Sequence, residues 1–200
     1  DNEREVGEGF RASGVKRNDV FVTTKIWPSH FAPRELERAA RDSLVRLRLS
    51  EVDLLLLHWP NPQIPLAETL GALCKVKRDG LARHIGISNF TVALMDEALR
   101  LSTEPLVCNQ FECHPFLDQS KLIDACRRDG MALPCMRPRV GTVRGERNND
   151  GLPRPARRRP DRSHRFLSTI LLRASGAGPP EAAASRRVRV KCRWEGFDPA

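Results

Sequence analysis

Lys25, His58, Ser88, Asn89 and Gln110 stand at the carboxyl ends of four apolar runs, bringing an ammonium, an imidazole, a hydroxyl and two amides into equivalent places. The runs are Val20-Phe21-Val22-Thr23-Thr24-Lys25, Val52 to Leu57 followed by His58-Trp59-Pro60, Ile85-Gly86-Ile87-Ser88-Asn89-Phe90, and Leu106-Val107-Cys108-Asn109-Gln110. His58 follows Lys25 by thirty-three residues and Ser88 follows His58 by thirty, close to the length of one strand-plus-helix unit. Groups able to hold protons and hydrogen-bond a ligand thus collect where parallel strands end. Alone, a strand-end lysine or a histidine before Trp-Pro is more often solvated or structural. Four such runs in register carry the functional reading.

The segments between the runs have helical periodicity. Leu36, Ala40, Leu44 and Leu47 follow Pro33, which suits a first helical turn, and Arg34, Glu37, Arg38, Arg41 and Asp42 fill the wet face. Leu66, Leu70 and Leu73 precede Gly80, placed to end a helix in a left-handed cap. Leu94, Ala98 and Leu101 follow Thr91 as N-cap, and Leu122, Ile123 and Cys126 follow Asp118, with Gly130 as the stop. A helix over residues 2–13 precedes the first strand, and a fifth strand begins near Met131. Near-continuous apolar strands are those covered on both faces. The expected fold is α/β, a partial (β/α)8 TIM barrel of about four to five βα units, with a low-complexity tail.

The motifs Asn2-Glu3-x-x-Val6-Gly7, Thr23-Thr24-Lys25-x-Trp27, Leu57-His58-Trp59-Pro60, Gly86-Ile87-Ser88-Asn89-Phe90 and Asn109-Gln110-x-Glu112-x-His114-Pro115 together resemble the aldo-keto reductase family, most of all its bacterial 2,5-diketogluconate reductase type. The resemblance runs from residue 1 to about 133. It implies NADPH-dependent reduction of aldehydes and ketones, in which a tyrosine supported by a lysine, a histidine and an aspartate protonates the carbonyl oxygen. A phenol titrates near 10, so a neighbouring ammonium must favour its negative form. By resemblance Lys25 is that ammonium and His58 orients the carbonyl, while Trp27 and Trp59 belong to the substrate pocket. Ser88, Asn89 and Gln110 match the positions that hold the nicotinamide carboxamide. The partner implied is a small carbonyl compound, with no membrane, and nucleic acid enters only as the partner of an alternative reading of the tail.

The same resemblance places the aspartate and the tyrosine upstream of Asp1, and the 200 residues contain no tyrosine at all. A second tyrosine, expected to stack on the nicotinamide near residues 135 and 136, is replaced by Cys135 and Met136. The chain is therefore expected to be a fragment, inactive as it stands. A complete barrel takes about 250 residues. An open half-barrel would leave edges unpaired near Val20 to Thr24 and near Met131 to Leu133, and would expose inward-facing apolar side chains.

Charge divides the chain at the same point. Residues 1–136 hold 18 Lys+Arg against 19 Asp+Glu, and residues 137–200 hold 16 against 6, so the net charge of +9 is −1 plus +10. Two segments follow, a barrel part over 1–135 and a basic tail over 136–200. Arg157-Arg158-Arg159-Pro160 and Gly176-Ala177-Gly178-Pro179-Pro180 mark the tail as low-complexity sequence expected to be disordered. It supplies an alternative function, binding nucleic acid or an anionic surface, although only Phe166, Trp194 and Phe197 interleave with the arginines. A further alternative is a non-catalytic barrel relative with a regulatory or structural role. Cys108, Cys113 and His114 make a poor zinc pattern, and no metal is expected. Six scattered cysteines suit a reducing cytoplasm, and no secretory signal or spanning apolar run appears.

Fifteen of the sixteen tail cations are arginine, as GC-rich DNA gives in a wrong frame. Cys135-Met136-Arg137-Pro138, back-translated and read two bases later, can spell Tyr-Ala-Pro, the sequence of the absent tyrosine strand. A frame change near Leu133 accounts for both observations. Translating the encoding DNA after about codon 133 in another frame is expected to give a Tyr-x-Pro strand and further βα units. Stop codons in both alternative frames would show the tail to be native sequence.

Overall fold

The computed structural model describes residues 2–113, 117–136 and 170–173. Helix α1 (Glu3–Ala12) leads through a 3₁₀ turn at Arg17–Asp19 into β1 (Val20–Ile26). Then follow α2 (Pro33–Leu47), β2 (Val52–Leu57), α3 (Leu66–Arg78), β3 (Ala82–Ser88), α4 (Val92–Leu101), β4 (Leu106–Glu112), α5 (Ser120–Arg128), β5 (Cys135–Met136) and β6 (Ile170–Arg173). One sheet joins all six strands in the order β5-β4-β3-β2-β1-β6, parallel from β1 to β5. This is the βα progression of a TIM barrel, carried part of the way round.

Local chemistry explains the helix ends. Pro33 opens α2, where its missing N–H would have no helical partner in any case. Thr91 caps α4 by accepting from the Leu94 amide at 3.4 Å, and Gly80 and Gly130 take φ of +74° and +68° after α3 and α5. Two boundaries differ from the sequence expectation. Strand β3 begins at Ala82, three residues before the apolar run, because Ala82 and His84 pair with Val52 and Leu54 in the ladder while the Arg83 side chain reaches out to Glu51. At α5 the cap position is Gln119 and not Asp118, although the Asp118 carboxylate still accepts from the Ser120 amide at 2.9 Å.

The main core lies between the sheet and the helices, where Leu55, Leu57, Ile85 and Ile87 meet Leu36, Leu47, Leu70, Leu73 and Met95. The opposite face holds Leu54, Leu56 and Cys108, flanked by Phe21, Val107 and Ala132. Those three are at most 3% exposed, so the inner face is not laid open there as expected. A second expectation is also corrected. The edge of β1 is paired, since Val20–Thr23 run antiparallel to Ile170–Arg173, an apolar stretch able to satisfy the edge amides and carbonyls. Of the segment expected to be a disordered tail, residues 137–169 and 174–200 lie outside the described residues.

The amino ends of the strands are held by charge. Asp53, buried on β2, accepts from the Val22 amide at 2.8 Å and pairs with Arg17 at 2.8 Å and Arg83 at 3.3 Å. Helix α1 is docked by Glu3, which accepts from Thr24 at 2.5 Å and from Arg46 at 2.6 Å. Gly7 makes that docking possible, because a β-carbon there would lie 2.5 Å from the Leu47 carbonyl oxygen. Gly9, in the same helix, has nothing within 4 Å of its notional β-carbon. Gly7→Ala is expected to cost about 1–3 kcal/mol, whereas Gly9→Ala should stabilise by up to about 1 kcal/mol. Urea unfolding of the two variants against the parent checks the pair, and equal effects would show that the close approach of α1 to α2 is not a constraint.

Candidate active site

Alternation along the strands decides what faces the barrel axis. Thr23 pairs with Leu54 and Lys25 with Leu56, and Leu56 pairs in turn with Gly86. Leu54, Leu56 and Cys108 form the inner cluster, so Lys25, Gly86, Ser88 and Gln110 share its parity, with His58 two residues past Leu56. Gly86 belongs to this face because a side chain would not fit. Its notional β-carbon would lie 2.8 Å from the Cys108 carbonyl oxygen and 2.9 Å from Leu56 Cδ2.

Lys25, His58, Ser88 and Gln110 are all buried at the carboxyl ends of β1 to β4. The His58 amide donates to the Ile26 carbonyl at 3.0 Å, which ties the residue after β2 to the end of β1. The imidazole meets Trp27 edge-on, with ring centres 4.8 Å apart and planes at 82°. A cavity of about 400 Å³ opens beside them, lined by Lys25, Ile26, Trp27 and His58 together with residues of α1 and α2. Trp27 is 56% exposed and Trp59 46%. Trp59 lines a cavity of about 600 Å³ near the starts of α4 and α5.

Burial sets the protonation states. It lowers the Lys25 ammonium from its usual value to about 8, opposed by Cys108. Cys108 is itself pushed up to about 12 by burial, so it is a neutral thiol wherever Lys25 titrates and supplies no counter-charge there. Burial, reinforced by the charge on Lys25, lowers His58 to about 4. At neutral pH the site therefore holds a neutral imidazole, able to donate one hydrogen bond and accept another, beside an ammonium poised to release its proton.

Asn89 and Asn109 organise the rim. Asn89 adopts φ of +62°, and its Nδ2 donates to the His58 carbonyl at 2.9 Å and to Ser88 Oγ at 3.0 Å. Its amide nitrogen thus locks the His58 backbone to the end of β3, a tie that motif spacing does not reveal. Asn109 faces the other way and clasps Phe90, donating to its carbonyl at 2.9 Å and accepting from its amide at 3.4 Å. Gln110 Oε1 is buried without a hydrogen-bond partner among the described residues. An unpartnered buried amide oxygen is costly unless a ligand completes it. A carboxamide offers both a donor and an acceptor, so it suits either orientation of the Gln110 side chain.

Functional groups gathered at the carboxyl ends of parallel strands are the arrangement that barrel enzymes share. The chain belongs to the aldo/keto reductase family, whose model matches residues 1–195, a span that continues past the last family motif. It is 40% identical over 136 residues to methylglyoxal reductase DkgB of Salmonella typhi, covering 66% of this chain and 51% of that protein. A crystal structure described as a 2,5-diketo-D-gluconic acid reductase B is 50% identical with a TM-score of 0.65, covering 66% of this chain and 47% of the other. The Bombyx mori aldo-keto reductase in complex with NADP is 32% identical with a TM-score of 0.66, over 76% of this chain and 53% of that one. The chain spans about half the length of the curated relatives it matches. NADPH is the family cofactor.

The depressed His58 value makes stability depend on pH. The unfolded imidazole takes up a proton near 6.5 and the folded one only near 4, so between those values the unfolded chain binds more protons and stability falls as the pH drops. His84 is lowered too, and its own titration overlaps this window. The contribution of His58 is isolated by the difference between the parent and His58→Gln. That difference, from urea midpoints at pH 6.5 and pH 4.5, is expected to show a smaller acid loss in the variant. Parallel pH curves would mean that His58 is solvated.

Proposed function

We propose that this chain carries part of the active site of an NADPH-dependent reductase of small aldehydes and ketones. The observation that carries the reading is that Lys25 and a neutral His58 line one cavity, with Gln110 Oε1, unpartnered among the described residues, on the inner face that Lys25 shares. Ser88, Asn89 and Gln110 are the residues to hold a nicotinamide carboxamide, with Asn89 also fixing the backbone of His58. The cofactor, when bound, supplies hydride to the carbonyl carbon. His58 orients the carbonyl by donating to its oxygen, in a buried site where such a bond is worth more than in water. Lys25 provides positive charge beside the oxygen, and Trp27 excludes water from one wall.

The reading includes inactivity of the 200-residue chain by itself. The sequence holds no tyrosine, so the phenol that protonates the oxygen in the family has no counterpart within it. Loss of a positioned acid costs roughly 10²- to 10⁴-fold in rate. Purified chain, assayed by NADPH absorbance with methylglyoxal beside a full-length relative, is expected to show a rate at least a hundredfold lower. Turnover within tenfold of the relative would overturn the inactivity.

A further inference from the structure

His58 is held through both of its backbone groups, and the two holds differ in kind. Its N–H donates to the Ile26 carbonyl at 3.0 Å, a main-chain bond open to any residue but proline. Its carbonyl accepts from Asn89 Nδ2 at 2.9 Å, a bond that one side chain supplies. Leu57 and Ile87 are the last ladder pair between β2 and β3, so the Asn89 bond carries that joint one residue further, to the residue that bears the imidazole. Beyond it the chain turns outward, and Trp59 is exposed.

The backbone of Asn89 is occupied elsewhere. Its N–H donates to the Gln110 carbonyl of β4 at 2.8 Å, and its φ of +62° bends the chain out of β3. Two demands therefore meet at this position. The backbone must enter the left-handed region, which glycine, asparagine and aspartate tolerate best, and the side chain must bring an N–H to a carbonyl. Of those three residues only asparagine carries a side-chain N–H. The atom facing the His58 carbonyl is the nitrogen by necessity, since two carbonyl oxygens cannot share a hydrogen bond. The other hydrogen on Nδ2 goes to Ser88 Oγ at 3.0 Å, so both donors are committed within the site.

We infer that Asn89 is a positioning residue for His58, its side-chain amide serving as an extra ladder N–H that keeps the imidazole in the buried site beside Trp27. The tie stands whether or not Asn89 also holds a nicotinamide, so it goes beyond the reductase reading and is tested without cofactor. Where that reading holds as well, a ligand that grips Asn89 Oδ1 also steadies His58, and replacing Asn89 harms both cofactor binding and carbonyl orientation.

The titration of the ring reports its placement, because burial is the first cause of its low value of about 4 and the charge on Lys25 the second. Glu3 on α1, His30 before α2, and Arg38, Asp42 and Arg46 on α2 line the same cavity, and Cys108 on β4 is a neutral thiol. None of these groups is altered in the test.

The experiment follows the His58 ring by NMR through a pH titration of the full chain, with its signals assigned by comparison with His58→Gln. Asn89→Gly keeps the left-handed backbone and removes the N–H. Thr91→Ala, two residues on, weakens the cap of α4 by about 1 kcal/mol and leaves the tie alone. In Asn89→Gly the midpoint is expected to rise by about one pH unit or more, toward the ordinary 6.5, and the nuclear Overhauser contact with Trp27 to be lost. In Thr91→Ala both should stay at the parent values. An unmoved midpoint in Asn89→Gly, or an equal rise in Thr91→Ala, would overturn the proposal. A measurement on the parent covers a variant that does not fold. The side-chain amide hydrogens of Asn89 are expected to exchange at least tenfold more slowly than those of exposed Gln63, and equal rates would likewise overturn it.

Discussion

The parallel register of β1 to β4 is the constraint from which the site follows. Side chains alternate across a strand, so a slip of one residue turns every inward group outward. Lys25 opposite Leu56, Leu56 opposite Gly86, and Ser88 opposite Gln110 fix one parity across four strands. Shifting β3 by a single residue would bring Ile87 and Asn89 to the axis and drive Ser88 into the helix layer. The register is protected from both ends. Asp53 joins β1 to β2 and ties both to Arg17 and Arg83 at the amino side, and Asn89 and Asn109 close the carboxyl side. Gly86 acts in the middle, where the backbone of β4 approaches too closely for any side chain.

Burial has opposite consequences for stability and for chemistry here. The helix-facing layer consists of aliphatic side chains whose removal from water stabilises the fold. The axial layer contains an ammonium, an imidazole, a hydroxyl and an amide, each of which loses hydration on folding. His58 and Lys25 respond by shifting toward their neutral forms. The same desolvation that makes the site costly keeps the His58 imidazole neutral at pH 7. Cys108, on the same face, shifts upward and becomes inert, since the thiolate is the reactive form of cysteine.

Much of this was legible in the sequence because its signals are local. Apolar runs ending in Lys25, Leu57, Ser88 and Gln110 marked the strands, and Pro33, Thr91, Gly80 and Gly130 marked the helix ends, each through a backbone property of its own residue type. Lys25 and His58 appeared as candidates because each directly follows an apolar run. What stayed hidden depends on pairs of residues far apart in the chain. Glu3 reads as an ordinary charge in a first helical turn, yet it is buried by Thr24 and Arg46, and Asn89 reads as a ligand group while its nitrogen serves His58. The start of β3 was hidden because Arg83 and His84 break the apolar pattern that marks a buried strand. The cavities that Trp27 and Trp59 line also lay beyond the motif, which sets them in the chain and not in space.

The pairing of Ile170–Arg173 with β1 has a kinetic consequence. A barrel closes when its two edge strands meet, and the edge of β1 already gives its amides and carbonyls to a strand of opposite direction. A parallel strand supplied by another polypeptide would have to take over those same groups. Closure would then be a strand exchange, with a rate that rises with the concentration of the incoming piece only until release of the four-residue β6 becomes limiting.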